Sequence, residues 1–127
     1  MNRSRLGYLL LAVGLIGITF GYLILPFFTS KIITIESFEF HPDTTTIVRG
    51  TKVIWLNYDV EPHDVISGVP GMRDNQYKSP LLGPGGTLSF VFEEPGEYRY
   101  FCGLHPYMTG RIIVTPELED LIRTGHE

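Results

Sequence analysis

The chain has 127 residues and is 43% hydrophobic, which leaves room for one folded domain and one appended segment. Its formal net charge is −4, and all 14 acidic residues lie after residue 30. Because phosphate binding requires a basic patch, this balance argues against a nucleic-acid partner. It is compatible with a partner protein whose docking surface is positively charged.

The N-terminal segment contains a long apolar run. Residues 6–25 carry no charge, and a helix of about 20 residues spans roughly 30 Å, the thickness of a hydrocarbon core. We therefore predict a transmembrane helix at 6–25, a cytoplasmic N-terminus at 1–5 and a linker at 26–30. The alternative is a cleavable signal peptide, whose apolar core is shorter and ends in small residues. Phe28 stands where cleavage after Ser30 would need a small residue.

The charges beside this run predict its orientation. Arg3 and Arg5 precede the run, and only Lys31 follows it closely. Positive charge is enriched on the cytoplasmic side of membrane helices. The N-terminus is therefore expected inside the cell, and the remaining domain on the outer face of the cytoplasmic membrane.

Alternation of apolar and polar residues predicts a β-rich domain at 31–115. The alternating or β-branched runs are 31–40, 44–48, 51–57, 64–67, 87–92, 97–101 and 111–115. Turns separate them at intervals of about 8 to 12 residues, which is typical of an all-β sandwich or barrel of about 7–8 strands. A phase change at Ser37 indicates a bulge or strand crossing. Residues 68–86, rich in Gly and Pro, are predicted to be a long connection.

The last segment, 116–127, departs from the β pattern. Thr115 is a suitable cap, Pro116 suits the first helical position, and acidic residues follow in the first turn. These features predict a short helix that is too short to be stable alone. Packing on the domain and fraying both remain open.

Four side chains form a candidate metal site. Cys102, His105 and Met108 stand at every third position of one short segment, and His63 lies upstream where a polar loop meets a strand. A thiolate, two imidazoles and a weak thioether are the ligand set of a mononuclear blue-copper electron-transfer centre. Cys102 alone could be a small buried apolar residue, and Met108 alone could fill a core. Their joint spacing favours the metal site.

Cys102 is the single cysteine of the chain. In an exported domain it has no intramolecular disulfide partner, and a free thiol in an oxidising compartment requires an explanation. Metal ligation supplies that explanation. A binuclear copper site bridged by two thiolates is excluded.

The ligand segment resembles that of the cupredoxins, the blue copper proteins of the plastocyanin, amicyanin and pseudoazurin type. The resemblance rests on Cys102-x-x-His105-x-x-Met108, on the Pro-His pair ending at His63, and on the upstream Trp55-x-Asn57 segment. It covers roughly residues 31–115. It implies a Greek-key β-sandwich or barrel that binds one copper ion, cycling between Cu(I) and Cu(II), through the four ligands named above.

The resemblance also implies roles for neighbouring residues. Asn57 would tie its loop to the residues around the cysteine, and Asp64 would offer its backbone N–H to the thiolate. Asp64 stands where an asparagine is common in the family, which leaves its side-chain contact open. His105 would expose its ring edge as the electron port. The surrounding apolar patch would comprise Pro62, Leu104, Pro106 and Tyr107.

Two functions suit this set of features. The first is a membrane-anchored blue-copper protein that transfers single electrons between a donor and an acceptor, both expected to be membrane-associated redox proteins with a basic docking surface. The alternative is an extracytoplasmic carrier that delivers copper. A copper enzyme fits poorly, because a second centre would need several more histidines than His41 and His126. The oligomeric state is not predicted.

Overall fold

The computed structural model describes residues 29–116. Its nine strands are β1 Ser30–Glu36, β2 Glu39–His41, β3 Thr44–Val48, β4 Thr51–Asn57, β5 Ile66–Val69, β6 Met72–Lys78, β7 Thr87–Phe92, β8 Gly96–Phe101 and β9 Thr109–Thr115. Within 29–116 no helix is long and apolar enough to cross a membrane. The span predicted at 6–25 and nearly all of the tail, including His126, lie outside the described residues.

The strands form two sheets. The first sheet has the order β2-β1-β4-β7, and the second has the order β3-β9-β8-β5-β6. The β1–β4 and β3–β9 pairs are parallel, and the other pairs are antiparallel. The predicted all-β class is confirmed.

Alternation along the strands builds a core between the sheets. Ile33 pairs with Trp55 in the β1–β4 register, and both side chains are fully buried. From the second sheet, Ile112 and Tyr100 meet them at 0% and 1% exposure. The rings of Trp55 and Tyr100 lie 5.3 Å apart, nearly perpendicular at 78°. Because strand side chains alternate between faces, the alternate positions Ile33 and Ile35 of β1 enter this core, as do Val53 and Trp55 of β4 and Ile112 and Val114 of β9.

The phase change at Ser37 is a hairpin turn, not a bulge or a crossing. Ser37 and Phe38 have φ values of 54° and 61°, and Glu36 pairs with Glu39 across them. Two consecutive residues with positive φ are the signature of a two-residue hairpin loop whose twist matches that of the strands. The segment 31–40 is therefore divided between β1 and β2.

The predicted long connection at 68–86 was also wrong in part, because it contains β6. Strand β5 begins at Ile66 and turns through Gly71, at φ 82°, into the edge strand β6. Only Tyr77 of β6 is buried, so the polar, exposed remainder shows no apolar alternation in the sequence. Gly68 is required in this hairpin, since its φ is +109° and a Cβ there would lie 2.5 Å from the Met72 carbonyl oxygen.

The strand directions divide the sandwich into two ends. Strands β1, β4 and β8 finish at one end, where the loop after Asn57 and the loop after Phe101 come together. Thr29 lies at the other end, where its carbonyl accepts the N–H of Lys52. Thr115 also lies there, bonded to the N–H of Arg49. The chain thus enters and leaves the described domain opposite these two loops.

Candidate metal centre

Three predicted ligands converge between the two loops. The Nδ1 atoms of His63 and His105 lie 3.9 and 3.7 Å from Cys102 Sγ and 3.2 Å from each other. One ion with bond lengths of about 2.0–2.3 Å in a trigonal plane gives ligand separations of about 3.5–3.8 Å. The observed triangle is within a few tenths of an ångström of that size. Within 29–116, these residues are the one group of His, Cys, Asp or Glu side chains arranged for a metal ion.

His63 is held by the backbone on both sides. It forms a two-way bridge with Leu82, in which the N–H of His63 donates at 3.1 Å and the N–H of Leu82 donates back at 2.7 Å. Its side chain is fully buried. The ring therefore keeps its place without any contribution from a metal.

Cys102 and Met108 close the ligand loop. The N–H of Cys102 donates to the Met108 carbonyl at 3.0 Å, and the N–H of Met108 donates to the His105 carbonyl at 2.9 Å. Met108 is 2% exposed, and its side chain belongs to the same buried core cluster as Cys102. Its role as the axial ligand stays a prediction.

The environment of Cys102 favours the protonated form of its thiol. Burial raises the pKa of Cys102, and backbone N–H groups of Asp64, His105 and Leu104 only partly oppose that effect. A soft metal ion reverses the balance, because it deprotonates a coordinating thiol on binding.

The side chain of Asp64 contacts the cysteine loop, a point that the sequence left open. Its Oδ1 accepts a hydrogen bond from the N–H of Gly103 at 2.5 Å. The carboxylate joins the His63 loop to the cysteine loop. A Cβ on Gly103 would lie 3.0 Å from Asp64 Oδ2 and 2.7 Å from Ile66 Cδ1, so this approach requires glycine.

Asn57 does not bond to the cysteine loop, and that prediction was wrong. Its Nδ2 donates to the carbonyls of Glu61 at 2.9 Å and Leu82 at 2.8 Å. Its Oδ1 accepts the N–H of Asp59 at 2.9 Å. Asn57 is fully buried and lies beneath its own loop, so its short side chain satisfies that loop and the neighbouring segment at Leu82.

Asp59 is a site residue that the sequence reasoning missed. Its Oδ2 lies 2.8 Å from His63 Nε2, and its two oxygens accept the N–H groups of Ser37 at 2.7 Å and Phe38 at 2.9 Å. A carboxylate on the outer nitrogen of a histidine fixes the tautomer and leaves the other nitrogen for the metal. Burial acts to raise the pKa of Asp59, but the bonds from Phe38, Ser37 and His63 outweigh it, and the pKa is lowered. The sequence signal is an acid four residues before the ligand histidine.

The predicted electron-transfer patch lies on the surface beside His105. Leu104 and Tyr107 are 49% and 70% exposed, and Pro62 and Pro106 are exposed as well. His105 itself is half-buried. Exposed apolar groups around a redox ligand suit protein docking, and this role stays a prediction. The side chain of His41 is 47% exposed.

Comparison with known proteins decides the family. The family model described as "Copper binding proteins, plastocyanin/azurin family" matches residues 29–115. The chain is a cupredoxin. Members of this family bind one copper ion, and the thiolate and imidazole donors assembled here fit that ion. The family match therefore agrees with a copper site at the ligands predicted from the sequence.

Individual relatives agree with this assignment. The cupredoxin chain is 32% identical to amicyanin from Paracoccus versutus over 83 residues, which are 65% of this chain and 63% of the relative. It is 36% identical to plastocyanin from Synechococcus sp. over 85 residues, or 59% and 62% of the two chains. The alignments thus span less than two thirds of these relatives.

Solved structures share the fold. A purple cupredoxin from Nitrosopumilus maritimus superposes with a TM-score of 0.62 at 33% identity, covering 66% of this cupredoxin and 98% of that chain. The Cu(I) form of an amicyanin mutant gives a TM-score of 0.61 at 26% identity, covering 68% and 82%.

Proposed function

We propose that this cupredoxin is a mononuclear blue-copper protein that carries single electrons between two redox proteins. The observation that carries the proposal is the triangle of His63 Nδ1, His105 Nδ1 and Cys102 Sγ, formed by side chains that the protein itself holds. Electron transfer is fast when Cu(I) and Cu(II) occupy nearly the same ligand positions. The Leu82 bridge and the Asp59 carboxylate fix His63 independently of the metal.

The proposal assigns electron transfer, not turnover of a substrate. A copper enzyme keeps one metal position open for the reacting molecule, as catalytic metal sites generally do. Here the predicted ligands fill the site, and His63 and Cys102 are both 0% exposed.

The proposal includes attachment to the outer face of the cytoplasmic membrane. It is supported by the uncharged segment 6–25, by Arg3 and Arg5 before it, and by a single cysteine that metal ligation would protect. The donor and the acceptor are then redox proteins at the same membrane. Attachment raises the effective concentration of such partners, and an acidic domain favours a basic docking surface.

The test is the visible and spin-resonance spectrum of the full-length chain in detergent after one equivalent of Cu(II). We expect an intense thiolate-to-copper band with small hyperfine splitting, and its loss in Cys102→Ala. A His41→Ala variant is the matched control and keeps both signals. A pale tetragonal spectrum, or rapid loss of Cu(I) to a chelator without a reversible couple, would refute electron transfer and leave copper delivery.

A further inference from the structure

A groove runs beside the metal site, between β2 and the end of the ligand loop. Its volume is about 740 Å³, and its lining includes Phe38, Glu39, Asp43, Tyr107 and Met108. Met108 is a predicted copper ligand, and Phe38 belongs to the β1–β2 hairpin. This groove therefore reaches the metal site from the side of the first sheet.

Phe38 is in ring contact with both histidine ligands. Its centroid lies 5.3 Å from that of His63 and 5.0 Å from that of His105, with interplanar angles of 87° and 84°. Edge-to-face contacts of this length are favourable aromatic packing. The ring is half-buried, so it contacts the ligands on one side and reaches the surface on the other. The Asp59 bond to its N–H holds it there.

The backbone at Phe38 also indicates a fixed position. Phe38 adopts a φ of 61°, in the left-handed region that bulky residues seldom occupy. Such a conformation persists where the surroundings hold it, and it occurs frequently at functional sites. Asp59 and the two histidine rings are those surroundings.

The groove is acidic. The segments 32–48 and 53–72 contain no Lys or Arg, and they carry Glu36, Glu39 and Asp43 at the hairpin and the groove wall. Arg111 donates its backbone N–H to the Asp43 carbonyl, but its guanidinium lies against Glu97 at 3.7 Å and Thr44 at 3.3 Å. The groove thus presents negative charge beside an aromatic ring that touches the ligands.

We propose that this groove is the docking surface for a positively charged redox protein, and that the electron passes between partner and copper through Phe38. The inference rests on the proposed function and adds the docking position and the entry residue. In the oxidising direction, Cu(I) becomes Cu(II) and the bound partner gains the one electron. Acidic groups attract the basic partner, and the ring supplies the shortest apolar contact to both ligand histidines from this side.

The charge arm compares two one-electron oxidants of opposite charge, the cationic complex tris(phenanthroline)cobalt(III) and the anion hexacyanoferrate(III), on reduced full-length protein. At low ionic strength, Glu39→Gln with Asp43→Asn slows oxidation by the cobalt complex about tenfold, since two nearby charges steer it. Oxidation by hexacyanoferrate is unchanged or faster. Glu93→Gln with Glu94→Gln, at the opposite end of the sandwich, is the matched control and leaves both rates unchanged. All rates are measured at one pH, because His41 lies 3.6 Å from Glu39.

The entry arm compares Phe38→Leu with Tyr107→Leu. Leucine keeps an apolar side chain at position 38, and the positive φ there is as unfavourable for leucine as for phenylalanine. The blue absorption band reports whether the metal site of each variant is intact. We expect Phe38→Leu to slow oxidation by the cobalt complex severalfold, with the same dependence on salt. Tyr107, whose ring centroid lies 6.1 Å from that of His105, should matter less.

Two results separate the proposals. If the charge variants at the groove and at the control position behave alike, the groove is not the docking surface. If Tyr107→Leu slows the reaction and Phe38→Leu does not, the electron does not pass through Phe38. The proposed function then stands with the patch around Leu104 as the port. A wild-type protein without a reversible copper couple would overturn the proposed function and this inference together.

Discussion

Replacing Asp59 tests whether one carboxylate organises the metal site. It accepts three hydrogen bonds, from the N–H groups of Ser37 and Phe38 and from His63 Nε2. Asp59→Asn keeps the shape and removes the charge, and Asp59→Ala removes both. The first variant removes the charge and also at least one of the three hydrogen bonds, because its amide NH2 replaces an oxygen that accepts an N–H. The second variant removes the charge and all three hydrogen bonds.

The expected magnitudes follow from the geometry. A unit charge about 7 Å from the metal, on the far side of the His63 ring, is worth about 2.4 kcal/mol at an effective dielectric constant of about 20. That energy corresponds to about 100 mV. Because a negative charge favours Cu(II), Asp59→Asn raises the reduction potential. Asp59→Ala also leaves a buried ring nitrogen unpaired, which costs about 1–3 kcal/mol of unfolding free energy, and it weakens copper binding about 10–100-fold.

Spectroelectrochemical titration of the copper-loaded proteins measures the potential, and urea unfolding of the copper-free proteins measures stability. Glu61→Gln is the matched control, because Glu61 lies in the same loop but is exposed and screened by solvent. If Asp59→Asn shifts the potential no more than Glu61→Gln does, Asp59 has no electrostatic role at the copper, and the reasoning fails.

Three further predictions follow from single positions. Gly103→Ala drives a Cβ to within 2.7 Å of Ile66 and 3.0 Å of Asp64, so urea unfolding should show a loss of about 1–3 kcal/mol together with a weakened blue band. Trp55→Ala, at a side chain that is 0% exposed, should lower the unfolding free energy by about 3–5 kcal/mol. Because the pKa of Asp59 is lowered from its ordinary value of 3.8 in the folded protein, its ionised carboxylate stabilises the fold at pH values above 3.8. This contribution is lost as the pH falls through the lowered pKa of the folded state. The stability gap between wild type and Asp59→Asn should therefore shrink below about pH 4, and an unchanged gap at acid pH would contradict this assignment.

Features that depend on residues close together in the chain could be predicted from the sequence. Cys102, His105 and Met108 lie on one loop between two strands, so their spacing already limits where their side chains can meet. Trp55 falls in phase with Val53, and both are fully buried as their alternation predicts. In each case the residues that decide the outcome are close together in the chain.

The remaining features depend on contacts between distant segments. Strand β6 is an exposed edge strand held by pairing with β5, and its polar sequence does not distinguish it from a loop. The left-handed turn at Ser37 and Phe38 is bonded to Asp59, 21 and 22 residues away. Asn57 bonds to Leu82, 25 residues away. No pattern within a single strand contains that information.

The placement of the two ends of the described domain bears on how the copper site meets its partners. Thr29 and Thr115 lie at the end of the sandwich opposite the ligand loops, and a seven-residue strand such as β4 separates the two ends by about 20 Å. In the proposed arrangement the anchor attaches at the far end, so the ligand loops and the groove face away from the attachment. A redox partner therefore has to present its basic surface above the bilayer, from a domain that projects into the same compartment. For that reason the charge of the groove, and not the anchor, would select the partner.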